Sequence, residues 1–127
     1  MYKTILVSQM IEDGVTLLRR LDDRGMPVSA AAWFEDPEKQ SWKLVIVTSA
    51  AENPGPLEAY TQIQFAMNGL ELSFALDDIT VMGPTSRKFE EFRRIMEGAT
   101  GGQFLHPKLP STGVALDDAY VYRWLVK

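Results

Sequence analysis

Val28-Ser29-Ala30-Ala31-Ala32-Trp33-Phe34-Glu35, the polar link Asp36-Pro37-Glu38-Lys39-Gln40, and then Trp42-Lys43-Leu44-Val45-Ile46-Val47-Thr48-Ser49 form the stretch that decides the fold. The first run is rich in small and aromatic residues. The last contains Leu44-Val45-Ile46-Val47, an unbroken apolar run that reads as a strand covered on both faces. The short Pro-containing link between them predicts a hairpin. Its two strands are antiparallel, and a regular loop brings Trp33 and Trp42 near each other across it. Two consecutive strands without an intervening helix do not fit a doubly wound parallel sheet, which alternates strand and helix throughout.

Helical periodicity lies on both sides of this hairpin. Before it, Ile11, Val15, Leu18 and Leu21, with Met10, Leu17 and Gly14 beside them, predict a helix starting at Thr4 or Ser8 and ending at Asp23. Gly25 stops it and Pro27 prevents continuation. Gly14 costs about 1 kcal/mol relative to alanine inside a helix, and close packing against another element would account for it. After the hairpin, Pro56 opens a helix to Asn68 with the stripe Leu57, Tyr60, Ile63, Met67 and Leu70. Leu76–Met82 reads as a strand with Ile79 and Val81 on one face. Thr85 or Ser86 caps a helix over Arg87–Glu97, with Phe89, Phe92 and Ile95 or Met96 inward and Gly98 as its stop. Gln103-Phe104-Leu105 is a candidate short strand. Asp118–Val126 is the last, with Ala119, Val121 and Leu125 expected on one side and Tyr120, Tyr122 and Trp124 on the other. The order is α-β-β-α-β-α-β-β. It predicts one α+β domain over residues 1–127, a single mixed and largely antiparallel sheet of four to five strands with three helices.

Composition agrees with a globular domain of this kind. The chain has 127 residues, 46% hydrophobic and 24% charged, the size of one domain with one core. No cysteine is present, so disulfides, thiolate metal sites and cysteine nucleophiles are excluded. The lack of disulfides leans toward a reducing, cytoplasmic setting. Met1–Val7 is too short an apolar stretch for a signal peptide, and no run reaches the roughly 20 apolar residues that span a bilayer. Thirteen basic and seventeen acidic residues leave a net charge of −4. That balance disfavours nucleic acid as a partner, since phosphate binding needs clustered cations.

Several stretches, Gly25-Met26-Pro27-Val28 through Ala32-Trp33, Trp42-Lys43-Leu44-Val45-Ile46, Gly55-Pro56-Leu57-Glu58-Ala59-Tyr60 and Asp118-Ala119-Tyr120-Val121-Tyr122-Arg123, resemble a group of small bacterial α+β proteins that carry no assigned activity. The resemblance covers most of the chain through hydrophobic pattern and turn residues. It implies a bacterial stand-alone protein and transfers no catalytic residue.

Two groups of residues carry candidate function. The first is aromatic. Trp33, Trp42, Tyr120, Tyr122 and Trp124 all fall on expected strands. An indole N–H needs a partner when buried, so a sheet face left without helices would turn these residues into an apolar interface. Core packing is the alternative use for them. This reading gives a non-catalytic module, without cofactor, that binds another protein or itself. An exposed edge strand could serve a symmetric dimer.

The second group is acidic. Asp77-Asp78 and Asp117-Asp118 each lie at the start of an expected strand. If the strand starts converge, four carboxylates could hold a divalent cation for phosphodiester or nucleotide hydrolysis, with Arg123 or Lys43 as the extra cation. Aspartates before strands also act as ordinary turn residues that bond nearby amides. His106 is the single histidine. It lies before Pro107 with no nucleophile motif around it. Gly98-Ala99-Thr100-Gly101-Gly102 lacks the Lys-Ser/Thr ending of a phosphate loop and follows a helix rather than a strand.

Overall fold

The computed structural model describes residues 8–36, 41–100, 114–116 and 119–125. The elements are α1 (Ser8–Asp23), β1 (Val28–Asp36), β2 (Ser41–Thr48), α2 (Pro56–Met67), β3 (Ile79–Met82), α3 (Arg87–Thr100), β4 (Val114–Leu116) and β5 (Ala119–Trp124). Their sequence follows the expected α-β-β-α-β-α-β-β order. The candidate strand Gln103-Phe104-Leu105 lies outside the described residues, and the short strand found before β5 is Val114–Leu116.

The strands make one mixed sheet in the order β3-β2-β1-β5-β4. β1 pairs antiparallel with β2 and β5, and β4 with β5. β3 runs parallel to β2, because α2 carries the chain back to the end of the sheet where β2 began. β1 and β2 are therefore central and buried on both faces, as the apolar run Leu44–Val47 requires.

Helices cover the sheet unequally. On one face Leu17, Leu18 and Leu21 of α1 and Ala59, Ile63 and Ala66 of α2 pack against Trp33, Leu44, Ile46, Ile79 and Val81. On the other, among the described residues, α3 alone brings Phe89, Phe92 and Met96 onto Ala30, Ala32, Val45, Val47 and Trp124. One helix is about 10–12 Å across with its side chains, while strands are spaced by about 4.8 Å. A single helix thus cannot roof five strands.

Local chemistry explains the boundaries. At the end of α1 the Met26 N–H donates to the Leu21 carbonyl at 3.0 Å and the Gly25 N–H to the Asp22 carbonyl at 3.0 Å. Gly25 has φ of 82°, the left-handed residue that this helix stop needs. Ser86 is the cap of α3: its Oγ accepts from the Phe89 N–H at 3.2 Å, satisfying one of the open donors of the first turn.

Four expectations are corrected. Leu76–Asp78 is a 3₁₀ turn, so β3 begins at Ile79. α3 passes through Gly98 to Thr100. In α2 the buried stripe is Ala59, Ile63 and Ala66, while Leu57 is 83% exposed. Those three residues fall at i, i+4 and i+7, one face of a helix, and Leu57 lies on the opposite side. Finally, Trp124 shares a face with Ala119 and Val121 instead of with the tyrosines. The pairing of β5 with β1 shifts between Ala31↔Arg123 and Ala32↔Val121. Tyr122 is the extra residue of a bulge, and one extra residue reverses the face of everything beyond it.

Candidate functional site

The five aromatics are placed by this bulge and by the helices. Trp33 is wholly buried. Its indole N–H donates to the Tyr122 hydroxyl at 2.8 Å, and its ring meets Phe74 edge-on at 5.1 Å between centroids. The Tyr122 hydroxyl in turn donates to the Ile11 carbonyl of α1 at 2.7 Å. Burial pushes the Tyr122 phenol well above its ordinary pKa, so it stays a neutral donor. Tyr120 stacks edge-on against Tyr122 at 5.2 Å, and both are half-buried.

Trp42 is buried on the same face as Trp33. It opposes Glu35 while Trp33 opposes Leu44, which makes the two indoles diagonal neighbours. Trp124 is buried beneath α3, 5.8 Å from Phe89 and 6.0 Å from Phe92. The uncovered aromatic sheet face is therefore not what this fold builds. Both faces carry helices, and all three tryptophans lie in the core.

The acidic doublets meet a different geometry. Asp78 Oδ2 accepts from the Ala75 N–H at 2.9 Å, while the Asp78 N–H donates to the Ala75 carbonyl at 2.9 Å. That reciprocal pair closes the 3₁₀ turn, the role of an ordinary turn aspartate. Strands β3 and β5 both run opposite to β1, so they start at the same end of the sheet. Two strands separate them, which puts the starts about 14 Å apart at 4.8 Å per strand. One divalent ion gathers oxygens at about 2.0–2.6 Å. Asp117, Asp118 and His106 lie outside the described residues. Among the described residues no three acidic or histidine side chains cluster to hold a metal.

The cations considered for that chemistry have other partners. Arg123 makes a two-pronged pair with Asp22, at 2.9 and 2.6 Å. It also donates to the Val28 carbonyl at 3.3 Å. The bond to Asp22 holds its guanidinium pKa above the ordinary value. Lys43 Nζ donates to the Asp77 carbonyl at 2.9 Å.

An open feature remains on the α3 side. α3 stands over β1 and β5, where Phe92 meets Phe34 edge-on at 5.4 Å as well as Trp124. The β2–β3 end of that face is left as a groove of about 290 Å³. Its floor is Phe34, Val45, Met82 and Phe92, and its polar rim includes Lys43 on β2 and Lys88 on α3. The groove was not foreseen from sequence. The available signals were Lys43 sharing a strand face with Val45 and Val47, and three helices for a five-strand sheet.

The β3 edge beside the groove has its Val81 donor already engaged. The Val81 N–H donates to the Tyr60 hydroxyl of α2 at 3.0 Å. A bonded edge donor is one way in which sheets avoid adding further strands. Another carboxylate ties the loops at the opposite end of the parallel pair. Glu52 Oε2 accepts from the Thr85 N–H at 2.8 Å and also from the Thr85 hydroxyl. It packs so tightly on Gly83 that a Cβ there would overlap it.

The site is thus the open end of an α-β-α sandwich: an apolar groove with ammonium groups on its rim. No protein-family model, curated protein or solved structure matches this chain. Among the described residues no helix is long and apolar enough to cross a membrane.

Proposed function

We propose that this domain is a non-catalytic binding module whose partner is another protein or a second copy of itself. The observation that carries the reading is the apolar groove that runs beside α3 at the β2–β3 end of the sheet. Buried apolar floor with a polar rim is how interfaces between proteins are built. Of the side chains considered for chemistry, Asp78 and Arg123 are engaged in bonds that hold the fold, and Lys43 is bonded to the exposed Asp77 carbonyl. A metal-dependent phosphodiesterase has no observation in its favour among the described residues. A cytoplasmic setting accords with the cysteine-free composition.

Light scattering across a concentration series and mass spectrometry of proteins cross-linked to the tagged chain test this reading. A stable complex or a defined oligomer is the expected result. A chain that stays monomeric and captures nothing overturns it.

A further inference from the structure

We propose that the groove between α3 and the β2–β3 end of the sheet docks an acidic segment of another protein, which inserts a bulky apolar side chain onto the groove floor. This rests on the binding-module reading above and names the chemistry of the partner. Three features of the groove lead to it.

The first is shape. Pockets that enclose small molecules run from about 300 to 1,000 Å³ and bury most of their ligand. This groove, at about 290 Å³, falls just below that range. It has room for one or two side chains, which is how an extended segment anchors itself.

The second is charge. Lys43 approaches from the sheet and Lys88 from the helix, and Glu91 lies one turn beyond Lys88 on the same rim. Two lysines and one glutamate leave one positive charge around an apolar floor, on a chain whose net charge is −4. A local cationic rim on an acidic protein steers acidic partners to that spot and repels basic ones. The Lys43 ammonium is already held by the Asp77 carbonyl at 2.9 Å. An ammonium has three N–H donors, so two remain for a carboxylate, and little ordering is left to pay for on binding.

The third is the engaged edge donor. With the Val81 N–H bound to Tyr60, a partner does not gain by adding a strand to β3 at that position. The face above Val45 and Thr80 is the surface on offer.

The test uses the ¹⁵N-labelled full chain and three synthetic peptides of equal length. One has two leucines flanked by glutamates, one the same leucines flanked by lysines, and one the glutamates with alanines in place of the leucines. Only the first is expected to shift the amide resonances of Val45, Thr80 and Phe92. The Lys43→Glu, Lys88→Glu double variant, checked for an unchanged thermal melt, should weaken that peptide roughly three- to tenfold. It should also acquire preference for the lysine-flanked one.

Equal shifts from the acidic and basic peptides, shifts confined to other surfaces, or no shifts at millimolar peptide would overturn the proposal. So would concentration-dependent shifts of the same resonances without peptide, which would put a second copy in the groove. Cross-linked partners that survive the double variant would sink the groove assignment while leaving the binding function standing.

Discussion

Tyr122 occupies the space that a side chain on Gly14 would need. A Cβ built on Gly14 would overlap the Tyr122 hydroxyl and lie 2.7 Å from the ring carbon that carries it. The residue that defines the β5 bulge is thus the residue that makes a glycine necessary in the middle of α1. The same hydroxyl bonds Ile11 and Trp33. One phenol therefore links α1, β1 and β5.

This contact reverses the usual effect of a helix substitution. Gly→Ala inside a helix normally stabilises by up to about 1 kcal/mol. Here Gly14→Ala forces the ring away, and overpacking of this kind costs about 1–3 kcal/mol. Urea denaturation should show a lower midpoint for Gly14→Ala. In a Tyr122→Ala background the same change should become neutral or stabilising, since the coupled pair is then absent. Additive losses would show that the two residues do not touch in solution.

Gly14 also shows how far the sequence could be read. Its cost in a helix was visible, and so was the expectation of a close neighbour. The identity of that neighbour was not, because it lies 108 positions away and depends on a bulge. Alternation on β5 placed Trp124 with the tyrosines, and one extra residue moved it under α3. Element order and the buried central strand were legible because they follow from local periodicity and turn residues. The groove was not, because it arises from what α3 fails to cover, a matter of strand order. Asp78 could be read either as turn or as ligand from its neighbours alone, and the Ala75 amide decides it.

Asp13 carries an acid-sensitive tie between α1 and the loop before β3. Its Oδ2 accepts from the Ser73 N–H at 2.7 Å and its Oδ1 from Gln9 at 2.8 Å. Burial alone would raise the pKa of this carboxyl, and the hydrogen bonds from Ser73 and Gln9 outweigh it, leaving the pKa below its ordinary value of 3.8. A depressed folded pKa means stability that is present above the unfolded value and lost as pH falls through the folded one. Melting temperatures should hold near neutrality and drop below about pH 4. Asp13→Asn should be less stable at pH 7 by about 1 kcal/mol, with a shallower fall in acid. An acid limb identical to that of the unaltered chain would remove Asp13 from the account.

Asp78 separates a turn from a metal ligand. Losing a side-chain cap of this kind costs about 0.5–2 kcal/mol, so Asp78→Ala should unfold at lower denaturant. A ligand that binds only the folded state raises its stability by mass action. With Asp78 serving the turn, millimolar Mg²⁺ or Mn²⁺ should shift neither the unaltered chain nor the variant. A melting temperature that rises with metal in the former and not in the latter would restore the carboxylate site.

Tyr60 guards the β3 edge, and removing its hydroxyl tests whether that guard matters. Tyr60→Phe keeps the ring that packs beside the α2 core stripe and deletes the acceptor of the Val81 N–H. An amide left without its acceptor in a part-buried position costs about 1–3 kcal/mol. It also presents β3 as an edge able to pair with another chain. Two effects should therefore appear together: a lower denaturation midpoint, and a sedimentation or light-scattering mass that rises with concentration. The second distinguishes edge protection from simple loss of a bond, because a lost bond alone weakens the monomer without changing its mass. A variant that is destabilised yet remains the same size as the parent across the concentration range would assign Tyr60 to packing only. Growth in mass would show that the Tyr60 hydroxyl keeps β3 from pairing with another chain.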